Sequence, residues 1–180
     1  AQCLDANTTG ANNSAFGYDA LGGNTTGARN SAFGWSALIS NSTASQNSAF
    51  GYFALRFSNG LDNSAFGYAA AEDTTGNFNS AFGSNAMSIA TTGNYNSAFG
   101  NQALYTLGAG SNNSAFGALS LELHTTPSNN SAFGYQALGS ITTGAQNVAV
   151  GSQAGYNGGV PLQTNATSVF IGYQANANAN

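Results

Sequence analysis

A chain of 180 residues holds two basic residues, Arg29 and Arg56, against six acidic ones, for a net charge of −4. Charged residues are 4% of it, against roughly 25% in an ordinary soluble domain, so no cationic surface exists to neutralise phosphates and nucleic-acid binding by counterion release is excluded. No apolar run approaches the roughly 20 residues of a membrane-spanning helix, and a 42% hydrophobic content with regularly recurring aromatics marks a folded repeat rather than a low-complexity coil.

The chain opens on Ala1-Gln2-Cys3, which suits a mature end behind a small-residue cleavage site. Cys3 is the lone cysteine, so any bridge it makes is intermolecular. From Asn13 onward one string organises the chain. Asn-Ser-Ala-Phe-Gly occurs eight times, with its phenylalanine at Phe16, Phe33, Phe50, Phe66, Phe82, Phe99, Phe116 and Phe133. Two looser copies follow, Asn147-Val148-Ala149-Val150-Gly151 and Ser168-Val169-Phe170-Ile171-Gly172, and make ten units. The spacing is 16 or 17 residues until the last step, which is 21. After each glycine comes an aromatic or polar residue, any residue, then typically Ala-Leu, as in Tyr18-Asp19-Ala20-Leu21 and Trp35-Ser36-Ala37-Leu38. Thr-Thr-Gly closes the unit, clearest at Thr8-Thr9-Gly10, Thr25-Thr26-Gly27 and Thr142-Thr143-Gly144. The one-residue change in length falls between Ala-Leu and Thr-Thr, which marks an exposed bend there.

A unit this short cannot hold the helix pairs of α-repeats, which need about 33 residues or more, and glycine recurs at two places in it, against helix. The expected fold is therefore all-β: one domain over 1–180, a parallel β-solenoid of about ten coils of 16–17 residues, regular over 1–146 and divergent over 147–180. Alternation places Ser14 and Phe16 on one face of a strand and Ala15 and Gly17 on the other. Two short strands and two bends per coil, with the corner at the glycine, predict a flat roll roughly 45–50 Å long. In that reading Phe16, Phe33, Phe50, Phe66, Phe82, Phe99, Phe116 and Phe133, continued by Val150 and Ile171, form a core ladder, each aromatic contributing roughly 1.5–3 kcal/mol. Leu21, Leu38, Leu55, Leu104, Leu121 and Leu138, with Met87 and Ala71 substituting, form a second ladder. Asn13, Asn30, Asn47, Asn63, Asn79, Asn96, Asn113, Asn130 and Asn147 are expected to bond their stacked copies and cap a bend. The small residue at Ala15 and its equivalents is expected to face a close neighbour.

These units resemble the head repeats of trimeric autotransporter adhesins, the YadA-like head, written around Ser-Val-Ala-Ile-Gly, and also repeats of bacterial surface and phage-fibre proteins. Val148-Ala149-Val150-Gly151 and Val169-Phe170-Ile171-Gly172 are the nearest copies; the other eight units have Ser for Val and Phe for Ile. The resemblance covers nearly the whole chain. It implies a left-handed β-roll, a homotrimer, an extracellular or cell-surface location and a structural or adhesive role, with no catalytic residue. The sequence holds neither a heptad stalk nor a membrane-anchor barrel, and its longer repeat implies a wider coil.

No catalytic, cofactor or metal site is expected. His124 is the one histidine and reads as an exposed bend residue. Glu72-Asp73 lacks the further carboxylates that calcium sites collect. The sequons at Asn7-Thr8-Thr9 and Asn24-Thr25-Thr26 are generated by the repeat itself. Cys3 and the alternating tail at Ala175, Asn176, Ala177 and Asn178 are candidate intermolecular contacts, because the terminal coils of a solenoid expose unpaired edges. The expectation is an extracellular structural protein whose partners are copies of itself, stacked head-to-tail into a fibre. The alternatives are a trimeric adhesin head on a host or surface ligand and an ice- or carbohydrate-binding solenoid, the ice-binding face being read from aligned Thr-Thr-Gly triplets.

Overall fold

The computed structural model describes residues 3–89, 91–123, 125–140, 142–156, 158 and 167–176. Within them the chain winds into a parallel β-solenoid, one three-residue strand per coil: β1 (Ser14–Phe16), β2 (Ser31–Phe33), β3 (Ser48–Phe50), β4 (Ser64–Phe66), β5 (Ser80–Phe82), β6 (Ser97–Phe99), β7 (Ser114–Phe116), β8 (Ser131–Phe133), β9 (Val148–Val150) and β10 (Val169–Ile171). The strands form one sheet in chain order, every neighbour parallel. Register is exact to the residue. Ser stands on Ser, Ala on Ala and Phe on Phe through β8, and Ala149 on Ala132 beyond it. No helix among the described residues is long and apolar enough to cross a membrane.

The interior is not the one expected. Ala32, Ala49, Ala65, Ala81, Ala98, Ala115, Ala132 and Ala149 are fully buried, while Phe16 is 74% exposed and Phe33, Phe116 and Phe133 close to 40%. The parity read from the sequence is right and the choice of face is reversed. Phenylalanine points out, alanine points in, and Val150 and Ile171 follow the phenylalanines outward at 43% and 72%. Size decides this. The inside of each coil already holds the strand alanine, the Ala-Leu pair and an asparagine, and a benzyl group added to that section has no room. The leucine ladder lies inside as read: Leu21, Leu38, Leu55, Met87, Leu104, Leu121 and Leu138 are fully buried.

A second strand per coil is also absent from the described residues. The Ala-Leu half is a turn in which two residues lie left-handed, for example Asp19 at φ 52° and Leu21 at φ 51°. A third left-handed residue precedes each motif asparagine, as Arg29 does at φ 58°. Each costs about 1–2 kcal/mol for an L-residue. Burying the leucine returns a comparable 1.5–3 kcal/mol, and the turn is held from above, since Leu21 N–H donates to Ala37 C=O at 3.0 Å and Gly23 N–H to Ile39 C=O at 2.9 Å. The glycine after each strand makes the corner. Gly100 sits at φ 140°, and a Cβ there would lie 2.6 Å from the carbonyl carbon of Gly117 in the next coil. Only glycine lets successive coils approach this closely.

The C-terminal coil departs from the pattern inside as well as outside. Phe170 takes the register place of Ala149 and is 5% exposed. Its ring fits because Gly155 stands where leucine stands elsewhere; a Cβ on Gly155 would lie 2.5 Å from Leu138 Cδ2 and 3.0 Å from Phe170 Cδ2. Ala175, expected to reach another chain, packs on this core, and Asn176 Nδ2–H donates to Tyr156 C=O at 3.1 Å. Ala177, Asn178 and His124 lie outside the described residues.

Gly100→Ala is expected to lower stability by about 3 kcal/mol or more, since it combines a disfavoured φ with a backbone clash. Urea denaturation followed by circular dichroism checks this, with Gly22→Ala, in a roomier negative-φ turn, as the mild comparison.

Candidate interaction surface

The outer surface is organised by what the inside fixes, and asparagine does the fixing. In each regular coil the motif asparagine turns inward; Asn30, Asn47, Asn63, Asn96, Asn113, Asn130 and Asn147 are fully buried. The backbone N–H of Asn30 donates to Oδ1 of Asn13 at 2.9 Å, and the bond repeats from coil to coil up to Ser168 N–H on Asn147 Oδ1 at 3.0 Å. The amide nitrogen of the same carboxamide reaches the same following coil. Asn79 Nδ2–H donates to Gly93 C=O at 3.0 Å, and Asn113 Nδ2–H to Pro127 C=O at 3.0 Å. Each side chain thus clips its own bend to the next coil at two points, where strand pairing stops. That sets where the next three residues point.

Two shorter polar columns went unread in the sequence. Asn7, Asn24 and Asn41 form an inner ladder, Asn24 Nδ2–H to Asn7 Oδ1 at 2.8 Å and Asn41 Nδ2–H to Asn24 Oδ1 at 3.0 Å. Their recurrence just before Thr-Thr or Ser-Thr was the available signal, and it was spent on a sequon reading. Asn24 is fully buried, so its amide is engaged inside the fold. On the bend, Ser45, Asn77, Asn94, Ser111 and Ser128 accept the N–H groups of Ala28, Leu61, Asn77, Asn94 and Ser111 at 2.7–3.0 Å.

The phenylalanines form a ladder, on the outside. Seven rings from Phe33 to Phe133 stack face to face, centroids 4.7–5.1 Å apart and planes within 8° of parallel. Stacking covers the ring faces and leaves a continuous edge of carbon to solvent. At about 200 Å² per phenylalanine, that stripe presents on the order of 500 Å² of apolar surface, the scale at which a patch marks an interaction site. Val148 and Val169, outward at 37% and 67% where the earlier strands have serine, widen it at the C-terminal end.

A second aromatic column follows the corner glycine. Tyr18, Trp35, Tyr52 and Tyr68 stack in sequence at 4.5, 6.2 and 5.4 Å. Phe78 and Tyr95, on the bend before the strand, stack at 4.9 Å. Because the ring faces are occupied by one another, these columns offer edges and hydroxyls, not the flat platform on which a sugar ring stacks. The threonine triplets are likewise engaged: Thr8, Thr25 and Thr125 donate their hydroxyls to carbonyls of the next coil at 2.9–3.1 Å.

Charge is local. Arg56 reaches Glu72 at 3.5 Å with its guanidinium 3.8 Å from the centre of the Phe53 ring and 4.6 Å from that of Phe57; Asp73 is exposed. No group of three His, Cys, Asp or Glu side chains among the described residues could hold a metal ion. Cys3 is an exposed free thiol. No family model matches the chain, and neither does any curated protein or solved structure.

Asn79→Ala would strip partners from Gly93 C=O and Asn96 N–H, both inside the roll. At about 1–3 kcal/mol for each buried group left unpaired, we expect a loss of about 2–6 kcal/mol and local hydrogen exchange at Asn96. Asn79→Asp should cost at least as much, since its carboxylate faces the Gly93 carbonyl.

Proposed function

We propose that the chain is a structural rod that works as an assembly of its own copies, packed side by side along the phenylalanine stripe, in an extracellular or cell-surface setting. One observation carries this reading. An apolar edge of stacked rings runs along the strands, on the face opposite the buried alanines, and none of the described residues folds over it. The stripe favours lateral contact over the end-to-end stacking expected from the sequence, because its area lies along the rod. The resemblance to adhesin head repeats supports both the lateral assembly and the location, with adhesion to a surface ligand as the role such an assembly would serve. The reading calls on no cofactor and no catalysis.

Ice binding finds less support, since the threonine hydroxyls at the first triplet position are turned to backbone carbonyls. Carbohydrate stacking finds less for the same kind of reason, the ring faces being taken.

Light scattering and electron microscopy of the purified chain test the proposal. A discrete multimer of parallel rods is expected, and a monomer at tens of micromolar would overturn it. Phe66→Ser with Phe82→Ser should keep the β-type circular dichroism, because neither ring supports the core, and weaken association by about three- to tenfold per ring, from roughly 1 kcal/mol for the edge that stacking leaves open.

A further inference from the structure

Inside the leucine turns one column of polar side chains changes partway along the rod. Asn7, Asn24 and Asn41 bond along it, and each also caps the carbonyl three residues on at 3.0 Å. Ser58 and Thr74 come next, and then Thr91, whose hydroxyl donates to Leu107 C=O at 3.0 Å. Asn41, Ser58, Thr74 and Thr91 are all fully buried. Between the two bonded runs three consecutive oxygens, Asn41 Oδ1, Ser58 Oγ and Thr74 Oγ1, have no protein partner.

The backbone changes at the same place. Ser58 and Thr74 lie in the two 16-residue coils, from β3 to β4 and from β4 to β5. The shortening falls between the column and the bend: Asn41 stands three residues before Ala44, Ser58 two before Gly60 and Thr74 two before Gly76. Gly60 C=O and Gly76 C=O are capped by Asn47 and Asn63. Side-chain bulk falls here too. A hydroxyl replaces a carboxamide at Ser58, and Ala71, three residues before Thr74, stands in the leucine column between Leu55 and Met87.

We propose that bound water completes this column, one molecule bridging Asn41 Oδ1 and Ser58 Oγ and a second bridging Ser58 Oγ and Thr74 Oγ1. The spacing suits it. Coils stacked about 4.8 Å apart put successive oxygens too far apart to bond directly, while a water about 2.8 Å from each meets them at about 120°. The donor count suits it as well. Asn41 Oδ1 can only accept, and the amide of the same side chain is spent on Asn24 Oδ1 and Ala44 C=O. A water supplies the missing proton, and the two hydroxyls, each donor and acceptor, carry the chain on to Thr74. Buried water takes this role where polar groups converge without side-chain partners. A cation suits the site less, because a buried charge needs an opposite one; Glu72 is paired with Arg56 and Asp73 is exposed.

Three measurements on the whole chain test this. Crystals diffracting well enough to show ordered solvent should place a water against each pair of oxygens. Density with apolar atoms closed around the three oxygens overturns the proposal, and so does a shell of five or more oxygens about one site, which marks a cation. Thr74→Val, of nearly equal shape, separates a hydrated hydroxyl from a bare one by the sign of its effect. Removing a hydroxyl that holds a water should lower the urea midpoint, with Thr9→Val on the exposed surface as the neutral comparison. A midpoint that stays or rises counts against the proposal. Ser58→Asn should reach Asn41 Oδ1 directly and displace the first water, so oxygen-17 relaxation dispersion should count one long-lived internal water fewer than in the wild type. An unchanged count overturns the assignment.

Discussion

Everything in this rod depends on the carboxamide that each motif asparagine turns inward. A parallel solenoid satisfies its backbone through strand pairing, but here each coil devotes only three residues to a strand. Backbone bonds between coils hold much of the remainder, as Leu21 N–H to Ala37 C=O does, but at the bend before each strand buried peptide groups need another partner, and each one left unpaired costs about 1–3 kcal/mol. Asparagine is the residue that answers this, since one side chain presents an acceptor to the neighbouring N–H and a donor to the neighbouring C=O. Asn47, for example, accepts from Asn63 N–H at 2.9 Å and donates to Gly60 C=O at 2.9 Å. The clamp holds the register of the strands, and the crowded interior it closes leaves room for alanine and not for phenylalanine. Where the inner column switches from Asn41 to Ser58 and Thr74, the side chains are too short to continue the ladder, and Asn41 Oδ1, Ser58 Oγ and Thr74 Oγ1 are left without protein partners.

The repeat made the architecture legible. A 16–17-residue period with glycine twice per unit leaves little but a solenoid, and the leucine and asparagine columns could be placed by stacking like on like. The phenylalanines were misplaced for a physical reason. Alternation fixes which residues share a face but not which face is inside, and hydrophobicity was allowed to choose. Volume chooses otherwise. Ser14 shares a face with Phe16, and the residue between them is alanine in every regular strand, which is what a crowded interior asks for. The Ala-Leu segment misled in a similar way. It looks like a strand, yet a leucine at φ near 50° is nothing a propensity scale favours, and only the enclosing coils stabilise it.

In-register stacking also accounts for the composition. Any column of like charges would place them about 4.8 Å apart, with repulsion of about 1 kcal/mol per neighbouring pair in water and several times that beside a protein surface. Repeated over ten coils, that exceeds what such a thin core supplies. Charges therefore enter singly or with opposite sign in adjacent coils, as Arg56 and Glu72 do. Uncharged amides and hydroxyls carry no such penalty and bond along the column, as Gln136, Gln153 and Gln174 do through their side chains at 2.9 Å. Aromatic rings gain from the same spacing, because 4.8 Å is close to a comfortable stacking distance.

The constraint that removes charge from the surface thus leaves stacked aromatics and amides as the side chains that distinguish one coil from another. A column varies mostly by exchanging one neutral side chain for another, with a charge such as Arg29 or Asp62 entering singly, and the two columns beside the stripe keep their large rings on different coils: Trp35 with Arg29, Phe78 with Ser84, Tyr95 with Asn101. A stripe of near-identical phenylalanines can hold two rods together but cannot tell one register from the next, since sliding by one coil restores nearly the same contact. Discrimination has to come from positions that differ between coils. The flanking columns are where those differences lie next to the stripe, so a partner seated on the proposed surface would read one coil from another there.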